Sequence, residues 1–260
     1  MDSHRITEIL RTAGFAVPAA GVEQARARSG ARVLGRQLTR GEAESAWRGL
    51  LALRRDTGFH PLLSALPPSA LVAGSPAEPD IHDPRADTAP HEIVAEITAA
   101  ALTASLAYAE DEDEAEAWRA DFDPERLAAE ISGQPEPAQV TDFRPEWLCL
   151  VETGGAGGWS VPGILPGYPY APSWEHGPDG RPMLDSDHAA FLHAWQDRFG
   201  AELMYLSDRT LLLDVAHPPR DPLAVAATAI EQYAYCPDGN DTTSWANRQT
   251  RRGTWQFTWD

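Results

Sequence analysis

The stretch AELMYLSDRTLLLDVA, residues 201–216, decides how the chain is read. Two runs of strand-favouring apolar residues flank the polar turn Ser207-Asp208-Arg209, which marks a hairpin. On its N-terminal side, residues 186–199 place Phe191, Trp195 and Phe199 four apart, on one side of a helix, and Gly200 stands where that helix should stop. On its C-terminal side, Asp221 is placed to cap a helix with Pro222 at its first position and a stripe of Leu223, Ala227, Ile230 and Ala234. The closing run Thr254-Trp255-Gln256-Phe257-Thr258-Trp259 alternates polar and aromatic residues, as a half-buried strand does. Residues 147–151 read as a buried-type strand. The order strand, helix, strand, strand, helix, strand predicts an α+β fold for residues 147–260, a ferredoxin-like (split βαβ) sheet with helices on one face.

Upstream, residues 1–66 read as a smaller α/β segment. It comprises a helix over 4–13, a strand over 31–38, an amphipathic helix over 41–55 presenting Trp47, Leu50 and Leu51, and a short apolar run over 59–66. Residues 67–90 hold six prolines with little periodic hydrophobicity, the pattern of a linker or long surface loop. Residues 91–146 form an acidic helical connector. Its first helix, over 90–108, repeats Ile93, Ile97, Ala100, Ala101 and Ala104 at helical spacing.

Composition narrows the function classes. The 260 residues carry 21 basic and 39 acidic side chains, a formal charge of −18. Every basic residue is arginine. A surface this acidic excludes non-specific binding to nucleic acid or anionic membrane, because both need clustered cations. No apolar run reaches the ~20 residues of a transmembrane helix. Only two cysteines, Cys149 and Cys236, are present, which points to a reducing, cytoplasmic setting rather than a disulfide scaffold. The charge is uneven: residues 1–60 hold ten arginines against six carboxylates, whereas the remainder has a net charge of −22. The densest run, EDEDEAE over 110–116, reads as a solvated helix face.

Motifs of chemistry are sparse. The run Gly154-Gly155-Ala156-Gly157-Gly158 follows a strand, yet it lacks a Lys-Ser/Thr ending and leads into Trp159-Ser160-Val161-Pro162 instead of a helix, so it reads as a turn. His188 and His193 lie about 140° apart around a helix and cannot share one ion. The group Asp185, Asp187 and His188 reads better without a metal, with Asp185 or Ser186 capping a helix and Asp187 favouring its dipole. Ser160 is not in a nucleophile elbow. Cys236 follows a helix C-terminus, where a thiol gains no acidity, although folding can bring His176, His188 or His217 near it. The sequence therefore assigns no catalytic residue, no metal ligand and no cofactor.

The C-terminal residues are similar to a known family. Ala194-Trp195, the run from Arg198 through Gly200 to Leu203, Val215 with Pro218-Pro219, the run from Glu231 to Asp238, and Trp255 to Asp260 resemble the uncharacterised bacterial family termed domain of unknown function 4253. The block from Trp47 to Leu63 looks similar to the region preceding that domain. Residues 239–243 depart from the family pattern. The resemblance implies no activity, because none is established for the family.

The feature richest in recognition chemistry is the segment 153–184. It spans about thirty residues between a strand and a helix, well beyond the usual two to six. It is rich in Gly and Pro and carries Trp159, Tyr168, Tyr170 and Trp174. With Trp195, Tyr235, Cys236 and Asp238 these form the candidate binding set. The resulting expectation is a non-enzymatic recognition module that binds a basic protein partner through its acidic surface and this loop, as an inhibitor or immunity-type protein does. The alternative is a hydrolase or small-molecule-binding domain using Cys236 and the 153–184 loop.

Overall fold

The computed structural model describes residues 8, 11, 22–39, 41–74, 88–131, 143–165, 167, 183–237 and 241–259. Of the helix expected over 4–13, only Glu8 and Arg11 fall among the described residues, and both are helical. Seven strands form one mixed sheet in the order β1-β2-β4-β3-β5-β6-β7. They are β1 Val22–Arg26, β2 Arg32–Gln37, β3 Phe59–Ser64, β4 Trp147–Glu152, β5 Ala201–Leu206, β6 Thr210–Val215 and β7 Thr254–Thr258. The α+β class holds. The ferredoxin-like order is not confirmed, because β3, from the N-terminal segment, lies between β4 and β5. It pairs antiparallel with β4 and parallel with β5, so β4 and β5 do not form the parallel pair of a split βαβ unit.

The chain divides into two compact units whose segments alternate along the sequence: residues 1–82, 142–170 and 202–211 in one, residues 83–141, 171–201 and 212–260 in the other. In the first, helices α1 (Ala43–Leu51) and α2 (Arg54–Thr57) replace the single helix expected over 41–55. Trp47 and Leu50 are buried as expected. Trp47 donates its indole N–H to the carbonyl of Pro61, 2.9 Å away. Pro61 sits inside β3 and has no N–H to give a ladder, and the parallel register with β5 begins only at Leu63↔Tyr205. Within the stretch read as a linker, Pro67 and Pro68 start helix α3 (Pro68–Ala73). Proline at a first helical position has the φ a helix needs and loses no bond there, which is why a proline-rich run still folds. Strand β1 is an addition that the sequence reading missed. Arg32 closes β2 onto β4 by gripping Glu152 through Nε at 2.8 Å and through a second, short contact.

The second unit is mainly helical. It contains α4 (Pro90–Tyr108), α5 (Glu112–Asp121), α6 (Pro124–Glu130), α7 (Asp185–Phe199), α8 (Pro222–Tyr235) and α9 (Thr242–Arg248), together with β7. The start signals act as read. Asp221 accepts from Ala224 N–H ahead of Pro222, and Gly200, at φ 62°, ends α7 in the left-handed region. The stripe assigned to α8 holds in part: Ile230 and Ala234 are buried, whereas Leu223 is 49 % exposed and the buried side also carries Val225, Ala226, Ala229 and Tyr233. Alanine and valine on one side let α8 approach its neighbours closely, and this outweighs the size of Leu223. The acidic residues 110–114 and Glu116 are exposed, the solvated face expected of them. Among the described residues, no helix is long and apolar enough to cross a membrane.

Candidate functional site

The aromatic residues nominated from sequence fall in two places. Trp195, Tyr235 and Cys236 are core residues, at most 1 % exposed. Trp195 stacks on Phe257 with centroids 5.2 Å apart and planes at 12°, and Tyr235 meets Phe257 edge-on at 4.9 Å. Trp255 and Trp259 complete this cluster, so the strict alternation of β7 marks one aromatic face turned inward. The Cys236 thiol donates to the Thr258 carbonyl at 3.3 Å, a contact that seats the end of α8 on β7. Trp159 is half-buried in a 3-10 turn, Gly158–Ser160, that follows the glycine run. Tyr168, Tyr170, Trp174 and Asp238, and also His176, lie outside the described residues.

The two buried histidines are neutral and enclosed. His188 is hydrogen-bonded through Nδ1 to the Tyr235 hydroxyl at 2.9 Å, and burial lowers its pKa from 6.5 to about 3. His60, in β3, donates Nε2–H to the Leu203 carbonyl at 2.7 Å, and burial lowers its pKa to about 4. Burial pushes the Cys149 thiol well up. Asp187, in the group weighed as a metal site, uses its carboxylate to accept the Leu184 N–H at 2.8 Å. The cap therefore comes from Asp187 rather than from Asp185 or Ser186. Among the described residues no cluster of three metal-ligating side chains occurs.

The concave feature is elsewhere, on the helical unit. A cleft of about 710 Å³ opens between α4, α7 and α8, with Phe122 and Pro124 closing one end at the α5–α6 corner. Its size lies in the range of pockets that accept organic ligands or partner side chains. The lining is mostly apolar and small: Val94, Ala95, Ala99, Ala194, Ala227 and Ile230. Polar side chains come from α4, as His91 and Thr98, and from the α7 and α8 edges. Glu231 accepts from the Trp195 indole at 2.9 Å and from Arg198 through Nη1 at 2.9 Å and a second short contact. Arg198 is thus neutralised and also lies over the Phe199 ring at 5.0 Å. One turn earlier, His193 Nε2 lies 3.7 Å from Asp197.

None of the residues lining this cleft was nominated from sequence except through Trp195, which holds Glu231 from behind. A signal was present. Helix α4 buries Ile93, Val94, Ile97 and Ala101 yet also carries Ala95, Ala99 and Leu102 outside that buried set, and its only carboxylates are Glu92 and Glu96. A surface helix apolar on more than one face has a second surface to cover.

No curated protein and no solved structure matches the chain significantly. The family match begins at the tight 3-10 turn and takes in α7, α8, α9 and strands β5 to β7, hence two of the three long walls of the cleft. Over residues 158–260, its C-terminal part, the chain matches the family described as domain of unknown function (DUF4253).

Proposed function

We propose that this protein is a non-enzymatic recognition module that binds a basic protein partner, and that the cleft between α4, α7 and α8 is where it does so. The observation that carries this reading is the cleft itself: about 710 Å³, floored by alanines and open to solvent. The chain's charge of −18 supports the sign of the partner, since complementary fields speed encounter and reject like-charged competitors. The partner class is the one expected from sequence, and the contact surface moves from the aromatic core residues to the cleft. A hydrolase built on Cys236 finds no support in the placement of that thiol, which is enclosed and bonded to a backbone carbonyl.

The test is capture of partners from host lysate at low and high salt with the full chain and with Ala95→Arg, a change at an exposed cleft residue. The expected result is one stoichiometric basic protein, released by high salt and lost with the variant. A bait that stays clean at both salts, or a partner indifferent to Ala95→Arg, overturns the assignment.

A further inference from the structure

The charged side chains along the cleft are engaged with one another or turned to water. Arg198 uses every nitrogen: Nε donates to the Ala194 carbonyl at 3.2 Å, Nη1 to Glu231 at 2.9 Å, and Nη2 makes a short contact with the same carboxylate. Glu231 also accepts the Trp195 indole N–H at 2.9 Å. Asp197 lies beside His193, 3.7 Å away, with its side chain 72 % exposed. The Thr98 hydroxyl donates to the Val94 carbonyl at 2.8 Å, one turn back along α4. His91, at the start of α4, is exposed.

A charged group entering this cleft gives up its water without meeting a free counter-charge at the floor. That exchange is unfavourable, because desolvating an ion is offset only by a partner close at hand. A neutral apolar group bears no such cost. It covers Val94, Ala99, Ala194, Ala227 and Ile230, with the Phe122 ring at one end. Ala95 and Ala99 are exposed, so part of this apolar lining faces solvent. There is room for more than one such group: a void of about 150 Å³ holds a benzene ring, and the cleft has about 710 Å³.

Resting on the recognition reading above, we infer that what the partner seats in the α4–α7–α8 cleft is neutral and apolar, more than one aliphatic or aromatic side chain, and that its cations act at a distance. Encounter and docking then have different chemistry. The chain's charge of −18 governs how fast the partner arrives, and the apolar floor governs how long it stays.

The experiment uses the full chain and three naphthalenes that share a ring and differ in charge: neutral 1-naphthylmethanol, cationic 1-naphthylmethylammonium and anionic 1-naphthoate. Dissociation constants are read by equilibrium dialysis at low and high salt. The neutral ring is expected to bind at least about ten-fold tighter than either ion at high salt, and to lose at least about ten-fold on Ala99→Trp, which fills the floor from an exposed position. Unchanged circular dichroism and thermal unfolding of the variant show that the fold is kept. Glu231→Gln releases Arg198 and should raise the affinity for naphthoate at least about three-fold. A neutral ring that fails to bind, a cation that binds as tightly, or indifference to Ala99→Trp overturns the assignment. Naphthoate unmoved by Glu231→Gln overturns the role given to the Arg198–Glu231 pair, and the assignment with it. A stoichiometric neutral compound extracted from the purified native chain gives the cleft to a free ligand and overturns it too. The recognition reading stands or falls separately, on lysate capture with Ala95→Arg.

Discussion

His60 and Gly158 illustrate how closely single residues are fitted. A Cβ placed on Gly158 lies 2.6 Å from His60 Cε1 and 2.9 Å from Leu203 Cβ, and the imidazole is pinned by its bond to the Leu203 carbonyl. Neither neighbour has room to yield, so Gly158→Ala is expected to cost about 1–3 kcal/mol, measured as a shift of the urea midpoint at constant slope. An unshifted midpoint contradicts this fit. Both thiols are equally enclosed, Cys149 at 0 % and Cys236 at 1 % exposure. Iodoacetamide at neutral pH should therefore leave the native protein unlabelled and modify two sites once urea has unfolded it; rapid native labelling of Cys236 revives the nucleophile. Reading function from single aromatics fell short at this scale for a physical reason. Trp195 and Tyr235 have the same chemistry in a core as in a pocket, and sequence spacing reports which side they share but not what faces that side. The cleft alanines carry no chemical signature at all.

Elements were most legible where a cap residue and a hydrophobic period agree. Helix α8 starts at Asp221-Pro222, and α7 ends at Gly200, as those residues require. Replacing Asp221 with alanine removes the acceptor for Ala224 N–H and is expected to cost about 1 kcal/mol in chemical denaturation. Leu223, the second residue of the same helix, is half-exposed and outside the buried side, so Leu223→Gln should change stability by no more than about 0.5 kcal/mol. A loss several times larger restores the stripe that the sequence implied. Strand β1 escaped detection because Val-Glu-Gln-Ala-Arg has a single β-branched residue and no fully buried position; its place is fixed by its antiparallel register with β2. Helix α3 escaped because proline density was read as a breaker, although Pro68 begins that helix.

At the scale of the molecule, the two buried imidazoles set the response to acid. Each binds a proton readily when unfolded, near pH 6.5, and resists it when folded, down to about pH 4 for His60 and about pH 3 for His188. Their contribution to stability is complete above pH 6.5 and declines as pH falls toward those values, by about 1.4 kcal/mol per pH unit for each. Glu152 acts in a lower window: its pKa, lowered from 4.5 to about 2 by Arg32, gives stability that is full above 4.5 and is lost progressively as pH falls from 4.5 through about 2. Denaturation profiles at pH 7.5 and 5 should thus differ by several kcal/mol with the Arg32–Glu152 pair still intact; a flat profile contradicts the burial of neutral histidines. The sheet order is the part of the fold that sequence did not reveal, since β3 lies far from β5 in the chain and its Phe59–Ser64 residues, all buried, say only that both faces are covered.

That same strand has a consequence during synthesis. Its antiparallel partner β4 leaves the ribosome some 80 residues later, a delay of roughly 4–16 s at 5–20 residues per second. Its parallel partner β5 follows later still. Throughout that interval a ribbon that is wholly buried in the finished sheet stands with both edges bare on the nascent chain. Pro61, which shortens its ladder in the finished sheet, also deprives a passing strand of a donor there, so the residue that weakens the native pairing guards the unfinished one.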